Sequence, residues 1–378
     1  MKIGIITHFY KSTNYGGILQ SYALVKKLEL MGHDAEQLCY IMSIEKLNEK
    51  RISFKKYKRK AYVFIKRVAK FILRYKSIIG ITPKAKAFEL WSKSYINQSS
   101  NVYTTKNIKK SVDKYDVFIT GSDQVWNYSW YDKNFFLSFV PKRKKKIAYA
   151  ASIGHSQLYG KQRKIFKRHL KTFDAVSVRE KDAVQLIKDI SPVGANWVLD
   201  PVFLLEKEEW LKVASPNQIK GKYVFCYFLH NNPKQMTLAE EYAKNMGLKI
   251  VFIADMFKEI ETSFGDIRIE NAGPGQFLSL INCADVVFTD SFHASAFSCI
   301  FEKNFFVFGR DDAKGMNKRI ESLITLFECE DRFCDSEEKQ NLNYIVSVTT
   351  NIRNKELKKF KDMLICSEEF LKNSIGRR

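Results

Sequence analysis

The sequence predicts an α/β protein built as two Rossmann-like domains facing each other across a cleft. Strand-like and helix-like segments alternate along the chain in two successive series, the pattern of mainly parallel sheets with crossover helices. The series are separated by Glu206–Gly221, a charged stretch holding Pro216 that reads as a linker. Several apolar strands also run straight into polar or glycine-bearing turns, where open α/β sheets bind ligands. A chain of 378 residues is long enough for two such domains, placed at residues 1–210 and 211–378.

Lys2–His8 is apolar and β-branched and opens the first series as a strand. The turn-rich Ser12–Gly17 ends it, and Ile18–Met31 follows as a helix stopped by Gly32-His33. Ala35–Tyr40 is the second strand, and Val117–Thr120 is a strand running into Gly121-Ser122-Asp123-Gln124. Lys146–Ser152 and Ala175–Val178 are further strands, the latter feeding Arg179-Glu180 and a helix over Lys181–Ile190. Val198–Leu205, with Asp200-Pro201, ends the first domain. The second series reads strand Tyr223–Leu229, helix Lys234–Met246, strand Lys249–Ala254 and helix Gly275–Asn282. Val286–Phe288 is then a buried strand, Thr289-Asp290-Ser291 its turn and N-cap, Ala294–Phe301 a helix and Phe305–Phe308 a strand. The last predicted helix, Asn354–Lys372, is a candidate to cross back to the first domain.

The hydrophobic content of 45% and charged content of 28% are those of an ordered protein, and no apolar run reaches the ~18 residues of a membrane span. Met1–Phe9 reads as a strand rather than a signal peptide, so a cytoplasmic location is expected. The seven cysteines are scattered without a CxxC pair, which argues against structural zinc and a disulfide framework. Of the net charge of +22, Arg51–Phe88 supplies thirteen Lys or Arg and no acid. Within it Tyr62, Ile65, Val68, Ala69, Ile72 and Leu73 recur at helical spacing between Lys66, Arg67, Lys70 and Arg74. This basic amphipathic insert suits an anionic membrane surface, or is simply a packed helix with a solvated basic face. No zinc-finger, KH or RRM signature points to a specific nucleic acid.

Five loops fall at strand ends where the cleft would lie. Asn14, Gly16 and Gly17 allow close backbone approach to a ligand, or form only a tight turn; GxGxxG is lacking, which disfavours nicotinamide cofactors. Gly121–Asn127 gathers Asp123, Gln124 and Trp126, a set suited to a polyol: the ring would stack on a sugar and the carboxylate accept hydroxyl protons. Its structural alternative is an Asp N-cap with a core Trp. Arg179, after an apolar strand at a helix start, is placed to bind an anion or to pair with Glu180, Asp182 or Asp200. His293 lies in the first turn of a helix at the carboxyl end of a strand, where free N–H groups favour an anion. It could bind a phosphate or carboxylate and pass a proton, or be a satisfied structural histidine. Arg310–Arg319 offers Lys314, Lys318 and Arg319 after the strand Phe305–Phe308, or is surface charge.

In their order and spacing these pieces resemble the polysaccharide pyruvyl transferase family from Lys2 to about Phe327. The pieces are the first strand with NYGG, GSDQVWN, AYAASIG at Ala148–Gly154, SVRE at Ser177–Glu180, LDP at Leu199–Pro201 and TDSFHASAFSCIFEKNFFVF. The resemblance implies a GT-B-like fold and transfer of a pyruvyl group from phosphoenolpyruvate, a co-substrate, to a sugar, forming a cyclic ketal without metal or cofactor. It implies Arg179 as a donor-binding arginine and His293 as the histidine of the second-domain site. A further basic residue falls at Lys314 or the Lys318-Arg319 pair. Relatives carry an arginine two residues before the histidine where this chain has Ser291, which with backbone N–H groups would have to replace it.

On that reading His293 is the candidate general acid or phosphate donor, and Asp123 the group that orients or deprotonates the attacking hydroxyl. The acceptor would be a glycan or lipid-linked oligosaccharide at the inner membrane face. Two other classes stay open: a GT-B glycosyltransferase using a nucleotide sugar, for which Ala294–Ile300 lacks the acidic residue of a nucleotide-binding helix, and a catalytically silent polysaccharide-assembly protein, which Ser291 and the basic segment would allow.

Overall fold

The structure, a computed structural model, describes residues 1–42, 82–155, 157–230, 232–254, 264–309, 314–349 and 357–376, with the side chains of 314–316 left out. The amphipathic stretch carrying Lys66, Arg67, Lys70 and Arg74 lies outside the described residues, as do residues 310–313.

Two all-parallel sheets form the frame. The first holds β1 (Lys2–Ile6), β2 (Asp34–Tyr40), β3 (Gln98–Tyr103), β4 (Val117–Thr120), β5 (Lys145–Ala151), β6 (Ala175–Val178) and β7 (Asn196–Trp197), ordered β3-β2-β1-β4-β5-β6-β7. The second holds β8 (Tyr223–Tyr227), β9 (Lys249–Ile253), β10 (Ile267–Ile269), β11 (Val286–Thr289), β12 (Asn304–Phe308) and β13 (Phe333–Cys334), ordered β10-β9-β8-β11-β12-β13. The helices are α1 (Tyr15–Leu30), α2 (Pro83–Tyr95), α3 (Gly160–Leu170), α4 (Lys181–Lys188), α5 (Lys207–Leu211), α6 (Pro233–Met246), α7 (Pro274–Cys283), α8 (Phe292–Ile300), α9 (Lys314–Leu326), α10 (Leu342–Thr349) and α11 (Lys358–Gly376). Central strands β4, β8 and β11 are buried at every position, which is why they read as unbroken Val, Ile and Phe runs.

The strand orders place the site. In the first sheet the chain winds outward from β1 in one direction and from β4 in the other, and β8 and β11 play the same parts in the second. A crevice opens beyond the carboxyl ends of each such pair. Here the two crevices face one another.

The domains meet through aromatic rings. Tyr15 of α1 stacks on Phe277 of α7 with centroids 4.3 Å apart and 12° between planes, and its hydroxyl donates to the Ala272 carbonyl at 2.7 Å. The basic insert ends sooner than its charge suggests. Thr82 caps a new helix with Pro83 in its first turn, and α2 buries Ala85, Phe88 and Trp91. Residues 83–88 are therefore part of a core helix, because Phe88 packs on Tyr15 (4.9 Å) and Trp91 Nε1 donates to Val213 O at 3.0 Å.

Helix α11 packs on the first domain. Leu371 and Ile375 are buried, Ser367 Oγ accepts the Leu199 N–H at 2.9 Å, and Lys145 Nζ donates to the Ile375 carbonyl at 2.9 Å. The Lys27–Glu368 ion pair adds a link to α1.

Candidate active site

Four strand-end loops converge on one cavity of about 100 Å³. The first domain contributes Asn14, Tyr15 and Gly16 after β1, and Asp123 and Gln124 after β4. The second contributes Tyr227 at the end of β8 and Leu229 beyond it, Asp290–His293 after β11, Phe277 of α7, and Arg319 and Ile320 of α9.

Asn14 caps α1 by accepting the Gly17 N–H at 3.0 Å, which lays the first helical turn against the second domain. There the backbone at Gly16 meets a side chain. A β-carbon built on Gly16 would lie 2.0 Å from His293 Nδ1 and 2.2 Å from Cε1. Gly17 lies beside the same place: its β-carbon would fall 2.8 Å from the His8 carbonyl and 3.4 Å from Asp123 Oδ2. Asp123 adopts a left-handed backbone at φ 68°, which Asp tolerates better than most residues, and it lines the cavity.

Ser291 is the N-cap of α8 and accepts from the Ala294 N–H, placing Phe292 and His293 in the first turn, whose N–H groups lack intrahelical partners. His293 is 12% exposed, and its Nε2 has no hydrogen bond but sits 3.8 Å from Asp200 Oδ2. Asp200 is the site residue that sequence reasoning passed over, taking it only for the domain end and a possible partner of Arg179. It is buried and accepts from Arg179 Nη1 (2.7 Å), Ser122 Oγ (2.9 Å) and the Val202 N–H (3.2 Å). Burial alone would raise its pKa, but His293 and Arg179 hold it well below the usual carboxylate range. Arg179 itself does not line the cavity. Its guanidinium lies over Phe292 at 5.0 Å, and its Nε is 3.7 Å from Glu180 Oε1. Burial opposes the charge on Arg179, yet Asp200, Glu180 and Asp123 together raise its pKa, so it stays a cation behind His293.

Of the three downstream cations, Arg319 is the one described as lining the cavity, where it is 8% exposed. Lys318 points elsewhere and pairs with Asp182 of α4 at 2.6 Å. Lys314 opens α9, and its side chain lies outside the described residues.

The expectation for Trp126 is corrected. It is 1% exposed, stacked on Phe136 at 5.2 Å, with its Nε1 donating to the Phe135 carbonyl at 3.1 Å. Its ring belongs to the core because the loop turns it under the sheet, leaving Gln124 at the cavity. Asp290 also lines the cavity, but its carboxylate is taken up by the N–H groups of Leu229 and His230 and by His230 Nδ1 at 3.1 Å. Among the described residues no cluster of His, Cys, Asp or Glu could hold a metal ion. The arrangement offers cationic and N–H donors from α8 and α9 facing a carboxylate and amides from the first domain. Such a site can hold a small anion against a hydroxyl-bearing partner.

Comparisons with known proteins agree with this architecture. The UDP-GlcNAc 2-epimerase from Methanocaldococcus jannaschii superposes with a TM-score of 0.56 at 13% identity, covering 97% of this chain and 99% of its own. The UDP-N-acetylglucosamine 2-epimerase from Rickettsia bellii gives a TM-score of 0.50 at 11% identity, covering 99% and 95%. At these identities the likeness is one of fold, which is GT-B-like. No match was found among curated protein sequences. The family profile for polysaccharide pyruvyl transferase matches residues 14–312, from the cap of α1 to beyond β12. The span takes in every loop that lines the cavity except the start of α9, and the chain belongs to the polysaccharide pyruvyl transferase family.

Proposed function

We propose that the chain transfers a pyruvyl group from phosphoenolpyruvate to two hydroxyls of one sugar in a cell-surface polysaccharide or its lipid-linked precursor, forming a cyclic ketal. The observation that carries this reading is the division of the cavity, with His293, Arg319 and the α8 N-terminus on one wall and Asp123, Gln124 and Asn14 on the other. Arg319 and the first-turn N–H groups of α8 suit the carboxylate and phosphate of the donor. Lys318, paired with Asp182, then has no place in donor binding, and Ser291 acts by setting the helix turn. Arg179 acts through Asp200, behind the histidine.

Protonation of the donor's methylene carbon by His293 makes the adjacent carbon electrophilic, and one sugar hydroxyl attacks it as Asp123 takes its proton. The second hydroxyl displaces phosphate, closing the ketal. One hydroxyl proton balances that given to the methyl group, and the other leaves with phosphate. No metal or cofactor enters this scheme. Incubating the purified protein with phosphoenolpyruvate and a lipid-linked repeat unit should release phosphate and leave acid-labile pyruvate on the glycan. Transfer from a nucleotide sugar instead would establish a glycosyltransferase, and neither activity an assembly protein.

Work on a lipid-linked acceptor favours placement at the inner face of the cell membrane, and the basic stretch ahead of α2, Arg51–Ile81, suits that placement. Basic residues near an anionic bilayer contribute about 1 kcal/mol each. Binding to anionic vesicles should be tight at low salt and fall as ionic strength rises. Replacing Lys66, Arg67, Lys70 and Arg74 with glutamine should release the protein while sparing activity on a soluble acceptor. Wild type that ignores such vesicles at low salt would refute membrane placement. Among the described residues no helix is long and apolar enough to cross a membrane.

A further inference from the structure

With Trp126 in the core, the loop that follows it presents different rings. Tyr128–Trp130 form a short 3-10 turn directly after Asn127, with Tyr128 and Trp130 half-buried and Ser129 exposed. The turn is held at several points. Asn127 Oδ1 accepts the Ser129 N–H at 2.9 Å and His155 Nε2 at 3.0 Å, and Asn127 Nδ2 donates to Gln124 Oε1 at 2.7 Å. Trp130 Nε1 donates to the Gln124 carbonyl at 3.2 Å, so the indole is tethered to a residue that lines the cavity. His155 stacks on Tyr128 with centroids 4.0 Å apart and 21° between planes.

The loop after β5 is fitted to this arrangement. Gly154 has φ 67°, and a β-carbon there would lie 2.8 Å from Asn127 Nδ2 and 2.9 Å from Gln124 Oε1. Burial lowers the pKa of His155, which favours its neutral form. The Gln124 amide, the Ser129 hydroxyl and the His155 imidazole therefore lie beside two aromatic rings, held in place by the buried Asn127. Uncharged donors and acceptors beside aromatic faces match a sugar, whose hydroxyls lie at the ring edge and whose C–H groups form apolar faces.

We propose that Tyr128 and Trp130 form a shelf on which a pyranose of the acceptor glycan stacks, with Gln124, Ser129 and His155 as its polar rim. The shelf leads into the cavity through Gln124, so a saccharide seated on it would carry its reacting sugar toward Asp123 and His293. The inference rests on the reading of the protein as a transferase acting on a sugar, but binding can be measured without turnover.

Saturation-transfer NMR with methyl glucopyranoside, galactopyranoside and mannopyranoside, without phosphoenolpyruvate, reads the shelf directly. Wild type should transfer magnetisation to ring C–H protons of at least one of them. Trp130→Ala should weaken that binding about tenfold, Tyr128→Ala should also weaken it, and Trp130→Phe, which keeps a ring, should restore most of it. Should Trp130→Ala not fold, Tyr128→Ala and Trp130→Phe carry the comparison. Failure of wild type to bind any of the three pyranosides, or equal binding by the folded alanine variants, overturns the shelf. Pyranoside binding that depends on Trp130, without phosphate release from phosphoenolpyruvate, leaves the shelf standing and refutes the pyruvyl transfer instead.

Discussion

His293→Asn is expected to lower turnover by about 10²–10⁴, the range for loss of a general acid–base group, with the fold retained. Asparagine is smaller than histidine and keeps a polar tip, so it can occupy the space between Gly16 and Asp200 without a clash. Ser291 still caps α8, and the apolar residues behind it, Ala294, Ala296 and Phe297, stay buried. Circular dichroism and thermal melting report the fold, and phosphate release reports turnover. A folded variant with normal turnover removes His293 from the chemistry. A variant that does not fold shows that the histidine is chiefly packing between the domains.

Gly16→Ala is expected to be nearly as damaging for a different reason. The new β-carbon would sit 2.0 Å from His293 Nδ1, well inside van der Waals contact, so the ring or the helix must move. Overpacking of this kind typically costs about 1–3 kcal/mol. Because the clash lies between domains, part of the strain can be relieved by opening the cleft, and activity should fall further than stability. The test is a double-mutant cycle with His293→Ala, read by thermal melting. Alanine at 16 should be nearly neutral once the ring is gone, giving a large coupling between the two sites. If Gly16→Ala is equally destabilising with and without the ring, the domains do not meet there in solution.

Much of the frame was legible because its strands are buried on both faces. Val117–Thr120 and Ala175–Val178 match the observed strands end for end, since each is a short β-rich run that stops abruptly, at Gly121 in the first and at the charged Arg179-Glu180 pair in the second. Strand β3 was not legible. QSSNVY is polar and lies at a sheet edge, where its pairing with β2 rather than its side chains makes it a strand. The Asn14–Gly17 turn reads as close approach to a ligand or as a tight turn alone; Gly16 does line the cavity, and a side chain from the other domain also packs against it. No local pattern could have revealed this, because residues 16 and 293 meet only once both sheets are built. Trp126 and Trp130 show the same limit. Both sit in one loop, and the choice of which ring enters the core is made by Phe136, Phe166 and Phe173, which stack or pack edge-on around Trp126.

Helix α11 carries a consequence for how the chain is made. The first domain needs a segment made long after its own strands: the Leu199 N–H finds its partner in Ser367, 168 residues later. At about 5–20 residues per second that interval is on the order of ten to thirty seconds. Throughout it, the surface around Tyr149 and Leu199 that later receives α11 stays uncovered. The amino-terminal domain is therefore expected to complete its packing only after its neighbour has emerged. The first domain is finished by a helix that follows the second.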